Sequence, residues 1–129
     1  MSLLVRSLFA PIIIVAAMVF SLEFTKGEDT DILEMGCNPK AADNTQEDSI
    51  SDLLEDLIAN TPVNGFFQYL TGKGYYAIAG CNGVISQDEC GDCLDDAENK
   101  LIIHCRDADG AQIKLVDCRL RFEQYPFSF

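Results

Sequence analysis

The chain has 129 residues, nearly half of them hydrophobic, and its 21 acidic against 9 basic side chains give a net charge of −12. That balance excludes nucleic-acid binding, which needs clustered Lys and Arg to displace counterions. It equally excludes attack on anionic membranes by charge attraction.

Arg6 precedes an apolar run over 8–22, broken only by Pro11 and Ser21, and acidic residues follow. One positive charge, a short apolar stretch and a polar exit describe a secretory signal peptide. The run is shorter than the ~18–20 apolar residues of a membrane span. Small residues ending at Ser21 and at Gly27 place cleavage between 21 and 27. The expected organisation is a signal peptide over 1–27 and one secreted domain over 28–129 with its core in 35–124. Six cysteines in such a domain imply three disulfides. Spacing alone leaves 15 ways to pair six cysteines.

Residues 28–34 are acidic and poor in apolar side chains, so they read as a loosely attached leader. Met35-Gly36-Cys37-Asn38-Pro39 predicts a first strand or anchored arm, because Cys37 needs a partner and Asn-Pro marks a turn held extended at its first residue. Asn38 falls at the edge of that arm, and 41–46 reads as a loop. A first helix follows, with Ile50, Leu53, Leu54, Leu57 and Ile58 on one face and acidic residues on the other, a solvated face rather than a cation site. Asn60-Thr61-Pro62 ends it.

From Gly65 the period changes to that of strands. Phe66-Phe67-Gln68-Tyr69-Leu70, the turn Thr71-Gly72-Lys73-Gly74 and the run Tyr75 to Cys81 predict a hairpin, its aromatics serving core and sheet face. Ser86-Gln87-Asp88-Glu89 is a capping box that starts a second helix. Cys90, Cys93, Leu94, Ala97, Leu101, Ile102 and Cys105 then form one buried stripe. Asp107-Ala108-Asp109-Gly110 turns the chain into 112–122, the longest strand candidate. In that run Cys118, Leu120 and Phe122 face inward, while Arg119, Arg121 and Glu123 fall on a charged outer face. A slip in phase at Val116-Asp117 predicts a bulge or a change of partner strand. The order β–α–β–β–α–β indicates a small α+β domain.

Active chemistry finds no support in this pattern. Cys90-Gly91-Asp92-Cys93 resembles a redox dithiol, but the carboxylates around it oppose thiolate formation. A zinc site lacks a second ligand pair. Asp107-Ala108-Asp109-Gly110 lacks the remaining ligands of a calcium loop. His104 has no nucleophile signature around it. No acceptor for N-glycosylation is present. The expectation is a protein that is not an enzyme and uses no metal or cofactor.

The spacing Cys81-x8-Cys90-x2-Cys93, then Cys105, then Gln112-Ile-Lys-Leu-Val-Asp-Cys118-Arg-Leu-Arg-Phe-Glu-Gln124, resembles the ginkbilobin-like domain. That family comprises plant cysteine-rich secreted proteins and the ectodomains of cysteine-rich receptor-like kinases. The resemblance spans Cys37 to Gln124. It implies two helices packed on a five-stranded antiparallel sheet, with disulfides Cys37–Cys105, Cys81–Cys90 and Cys93–Cys118. It also implies an apoplastic antifungal lectin that binds mannose or fungal cell-wall mannan. The family's binding asparagine matches Asn38 and its glutamate matches Glu123, while its arginine is replaced here by Gln112. An amide donates and accepts and a carboxylate accepts, which suits adjacent sugar hydroxyls. Gln112 keeps an amide donor but loses a charge-assisted hydrogen bond, a cost of ~1–2 kcal/mol. Arg119 and Arg121, in phase with Glu123, read as surface residues. The alternative reading is an extracellular module of the same fold that binds a protein and has lost the sugar site.

Overall fold

Two capping boxes start the two α-helices of the described residues. A computed structural model describes residues 29–129; the expected signal peptide lies outside the described residues. Asp43 accepts from the Gln46 N–H at 2.8 Å and donates its own N–H to Gln46 Oε1 at 2.9 Å, which sets the start of helix α1, Asn44–Asn60. The expected loop over 41–46 is therefore corrected. Gln46 plays the part usually given to glutamate, and the helix begins nearly two turns before its first apolar residue, Ile50. Ser86 and Glu89 form the same reciprocal pair at the start of helix α2, Gln87–His104.

The strands are β1 Ile32–Cys37, β2 Phe67–Gly72, β3 Tyr75–Cys81, β4 Ala111–Leu115 and β5 Cys118–Glu123, with a 3₁₀ turn, Thr61–Val63, after α1. They form one antiparallel sheet in the order β1-β4-β5-β3-β2. The β2–β3 hairpin turns on Lys73 and Gly74, at φ 53° and 86°, the left-handed pair that matches strand twist in a two-residue loop. The run 112–122 is not one strand. Val116-Asp117 is the turn between β4 and β5, so the phase slip marks a change of partner, and this split supplies the fifth strand. Residues 28–34 are not a loose leader over their described part. The Asp29 N–H bonds the Asp117 carboxylate, and Lys100 Nζ bonds the Thr30 carbonyl. From Ile32 the chain pairs with β4.

Both helices cover the same face of the sheet. Helix α1 lies on β2 and β3, and α2 on β4 and β5. Leu57, Leu94, Ile113, Leu115 and Leu120 are fully buried between the layers. Cys90, Cys93, Leu94, Ala97, Leu101 and Cys105 form the buried stripe of α2 as the spacing predicts, but Ile102 is 57% exposed. It lines the rim of a groove between the helices, beside Ile50, Leu54 and Leu101.

Three disulfides join Cys37 to Cys105, Cys81 to Cys90 and Cys93 to Cys118. Each has one partner on or capping α2. The helix is thereby tied to the end of β1, the end of β3 and the start of β5. Cys90 and Cys93 bond to different strands, so no dithiol exists between them.

Candidate functional site

On the face of the sheet away from the helices, side chains stand in rows that cross the strands. Period-two alternation puts Glu34, Gly36, Gln112, Lys114, Arg119, Arg121, Tyr76 and Ile78 on this face. The register runs Gly36–Gln112–Arg121–Ile78 in one row and Glu34–Lys114–Arg119–Gly80 in the next. Asn38 continues β1 past its last paired residue, with its N–H on the Gly110 carbonyl at 2.8 Å. Glu123 lies opposite Tyr76 at the end of β5.

Asn38 and Glu123, 85 residues apart, meet over Gly110. Asn38 Nδ2 donates to Glu123 Oε2 at 3.4 Å. The glycine between them is what allows it. A Cβ on Gly110 would collide with Asn38 Nδ2 and stand 3.0 Å from Glu123 Oε2. Gln112 lies one row on, its side chain over Gly36 at 3.5 Å from where a Cβ would be. Among the described residues no hydrogen bond joins Gln112 to Asn38 or Glu123. The structure thus brings two of the three expected residues into contact and sets the third beside them.

Glu123 departs from the exposed outer position that the alternation gives it. It is only 3% exposed. Asn38 covers one oxygen, and Arg121 Nε lies 3.7 Å from the other. Burying a carboxylate is costly unless it is paired, and both partners belong to this cluster. Arg121 is in turn held from above. Phe127 lies over its guanidinium at 4.3 Å, and its Nη2 donates to the Tyr125 hydroxyl at 3.3 Å. Phe129 lies over Arg119 at 4.1 Å and packs edge-on against Phe67. The segment after β5 therefore folds back across the outer face and fixes both arginines by cation–π contact.

Gly110 and Arg121 are the residues that the sequence pattern underrates. Gly110 reads as a mere turn residue, and only its place two positions before Gln112 hints that a row needs space there. Arg121 reads as surface because its ion pair with Glu123 depends on how deeply that carboxylate is sunk.

A larger cleft, about 740 Å³, lies on the helical side. Glu55, Asp88, Asp92, Asp95 and Glu98 line it, and it shares no residue with the Asn38–Glu123 pair. Burial, then the charges of Asp95 and Glu55, hold the Glu98 carboxyl above the usual range. Among the described residues no cluster of His, Cys, Asp and Glu could hold a metal, and no helix is long and apolar enough to cross a membrane.

Comparison with known proteins matches residues 36–125 to the family model described as salt stress response/antifungal. The chain is 30% identical over 115 residues to the antifungal protein ginkbilobin-2 of Ginkgo biloba, covering 82% of this chain and 85% of that one. It is 32% identical over 84 residues to cysteine-rich repeat secretory protein 55 of Arabidopsis thaliana, covering 61% of this chain and 32% of that one. Among solved structures, it superposes on the tandem DUF26 ectodomain of the Arabidopsis thaliana cysteine-rich receptor-like protein PDLP8 with a TM-score of 0.66 at 25% identity, over 74% of this chain. It spans 45% of that ectodomain, about half of its length.

Proposed function

Because the chain belongs to the salt stress response/antifungal family, we propose that it is a secreted defence protein of the ginkbilobin type that acts by binding, not by catalysis, and recognises mannose units of fungal cell-wall mannan. The single observation that supports this reading is the contact of Asn38 with a buried Glu123 over Gly110. The leader over 1–27 would direct the chain to the secretory route, and the three disulfides suit an oxidising exterior.

The chemistry follows from the donor and acceptor inventory. Glu123 holds the Asn38 amide in place through one N–H, which leaves the amide's second N–H and its carbonyl for adjacent sugar hydroxyls. Gln112, exposed one row away, adds a second amide. Arg121 supplies the positive charge that the family's arginine would bring, but from β5 and already turned toward Glu123. Two amides in place of an amide and a guanidinium predict weak binding to a single mannose and a gain with longer mannan. The test is hyphal growth inhibition by the oxidised protein. Inhibition that Asn38→Ala removes supports the reading, and inhibition indifferent to Asn38→Ala refutes it.

A second reading, an extracellular module that binds a protein partner, rests on the likeness to the tandem receptor-like ectodomain. Retention of a plant or fungal wall protein by both the native chain and Asn38→Ala, without mannan binding, would favour it.

A further inference from the structure

Beside the Asn38–Glu123 pair, the outer face carries a charge pattern that the mannose reading does not use. Lys114 on β4 stands directly opposite Arg119 on β5. Like charges at opposed positions of an antiparallel ladder repel. Arg121 lies two residues along β5, and Gln112 is its partner across the ladder. In a chain with 21 acidic residues, carboxylates to offset these cations were not scarce. Yet neither Lys114 nor Arg119 has a carboxylate within ion-pair distance among the described residues. Glu34 is opposite Lys114 on β1, but it forms no ion pair with it.

These residues surround an open cleft of about 130 Å³, lined by Glu34, Gln112, Lys114, Arg119, Arg121 and Phe129, with Ile113 and Leu120 beneath. Two of the walls, Arg119 and Arg121, are held in place. Phe129 holds the Arg119 guanidinium by its ring face while remaining 40% exposed itself. An arginine fork fixed in this way matches a carboxylate in two parallel hydrogen bonds. Glu34 and Gln112 at the same cleft can accept from and donate to hydroxyls, and an exposed aromatic edge offers a surface to a sugar ring.

We propose that this cleft binds the carboxylate of an acidic sugar, a uronic acid unit of a glycan, with Arg119 and Lys114 taking the charge and Gln112 and Glu34 the neighbouring hydroxyls. The sugar part of the assignment rests on the mannose-type reading of the adjacent pair, and the carboxylate part rests on the cation cluster alone. The cleft shares Gln112 with the mannose site, so one glycan with neutral and acidic units can span both.

Calorimetric titration of the oxidised protein with a trimer of galacturonic acid tests this, with mannotriose, a Glu-rich peptide and inorganic phosphate as parallel probes. The trigalacturonate is expected to bind, and to bind about tenfold more weakly to Arg119→Gln and a few-fold more weakly to Lys114→Gln, because each removes a charge-assisted contact. Its affinity is also expected to fall as salt is raised. Mannotriose is expected to bind the native protein and both variants alike, and to lose binding in Asn38→Ala, which keeps trigalacturonate. Absence of trigalacturonate binding, or binding that both substitutions leave unchanged, overturns the proposal. Equally tight binding of the Glu-rich peptide overturns the sugar assignment in favour of an acidic protein segment, and equally tight phosphate binding reduces the cleft to a general anion site. If trigalacturonate binds through Arg119 while mannotriose does not bind at all, the cleft stands and the mannose reading falls.

Discussion

The two faces of the sheet are held by different physics. The helical face is apolar and cross-linked, with Leu57, Leu94 and Leu120 fully buried and all three disulfides running to α2. Among the described residues, no second layer of helices or strands covers the outer face. It is ordered by the Asn38–Glu123 hydrogen bond, the Arg121–Glu123 ion pair, the Arg121–Tyr125 hydrogen bond, two arginine–phenylalanine contacts and edge-on aromatic packing. Stability therefore concentrates on one face, which leaves the other free to carry charged and amide side chains in geometries that only a ligand completes.

The largest loss of stability is expected at the disulfides of the helical face. Cys93 and Cys118 close a loop of 25 residues, for which chain entropy gives about 3–4 kcal/mol. Replacing both with Ala is expected to lower the midpoint of thermal unfolding by on the order of 15–25 °C, and full reduction should unfold the protein at body temperature. A reduced protein that melts as the oxidised one does would place its stability elsewhere.

Gly110→Ala comes next, and it links the faces. The new methyl must push Asn38 away from Glu123 and leave a buried carboxylate short of a donor, costing about 1–3 kcal/mol in denaturant unfolding. Mannan binding should be lost with it. On the outer face alone the effects shrink. Phe127→Ala removes a partly buried cation–π contact worth about 0.5–2 kcal/mol, and a loss comparable to that of the disulfide variant would contradict the division between the faces.

The smallest effect belongs to the acidic cleft between the helices. Glu98 is half-buried there, with its carboxyl held above the usual range chiefly by burial and next by Asp95 and Glu55. The folded protein takes up that proton more readily than the unfolded chain. Its contribution is therefore most favourable below the ordinary carboxylate range and is lost as pH rises through the raised value. Water at this half-exposed site screens much of the effect. Glu98→Gln should raise the melting midpoint by about 1–3 °C at neutral pH and leave it unchanged near pH 4, and a rise of the same size at both would show that charge is not the cause.

How far the sequence reaches follows the same division. Apolar spacing places Ile50, Leu53, Leu54, Leu57 and Ile58 on the buried side of α1, and the Ser86–Glu89 box locates the start of α2. Those signals are local, and burial on one face enforces them. The start of α1 is less visible because Asp43 pairs with Gln46 rather than with glutamate. The β4–β5 turn is less visible because Val116-Asp117 contains neither Gly nor Pro. On the outer face Asn38, Gln112 and Glu123 come from a family resemblance, not from any pattern in the chain. The meeting of Asn38 and Glu123 over Gly110 depends on the register of three strands, and the burial of Glu123 depends on Asn38 and on Arg121, which a segment beyond the last strand pins. No short-range signal encodes such a juxtaposition.

The most direct measurement is calorimetric titration of the oxidised protein with mannose and a short mannan, beside Asn38→Ala and Gln112→Arg. The account predicts weak binding to the native protein, loss of it in Asn38→Ala, and about a tenfold gain in Gln112→Arg from the restored charge-assisted hydrogen bond. Binding that survives Asn38→Ala, or no binding in either the native protein or Gln112→Arg, would contradict it.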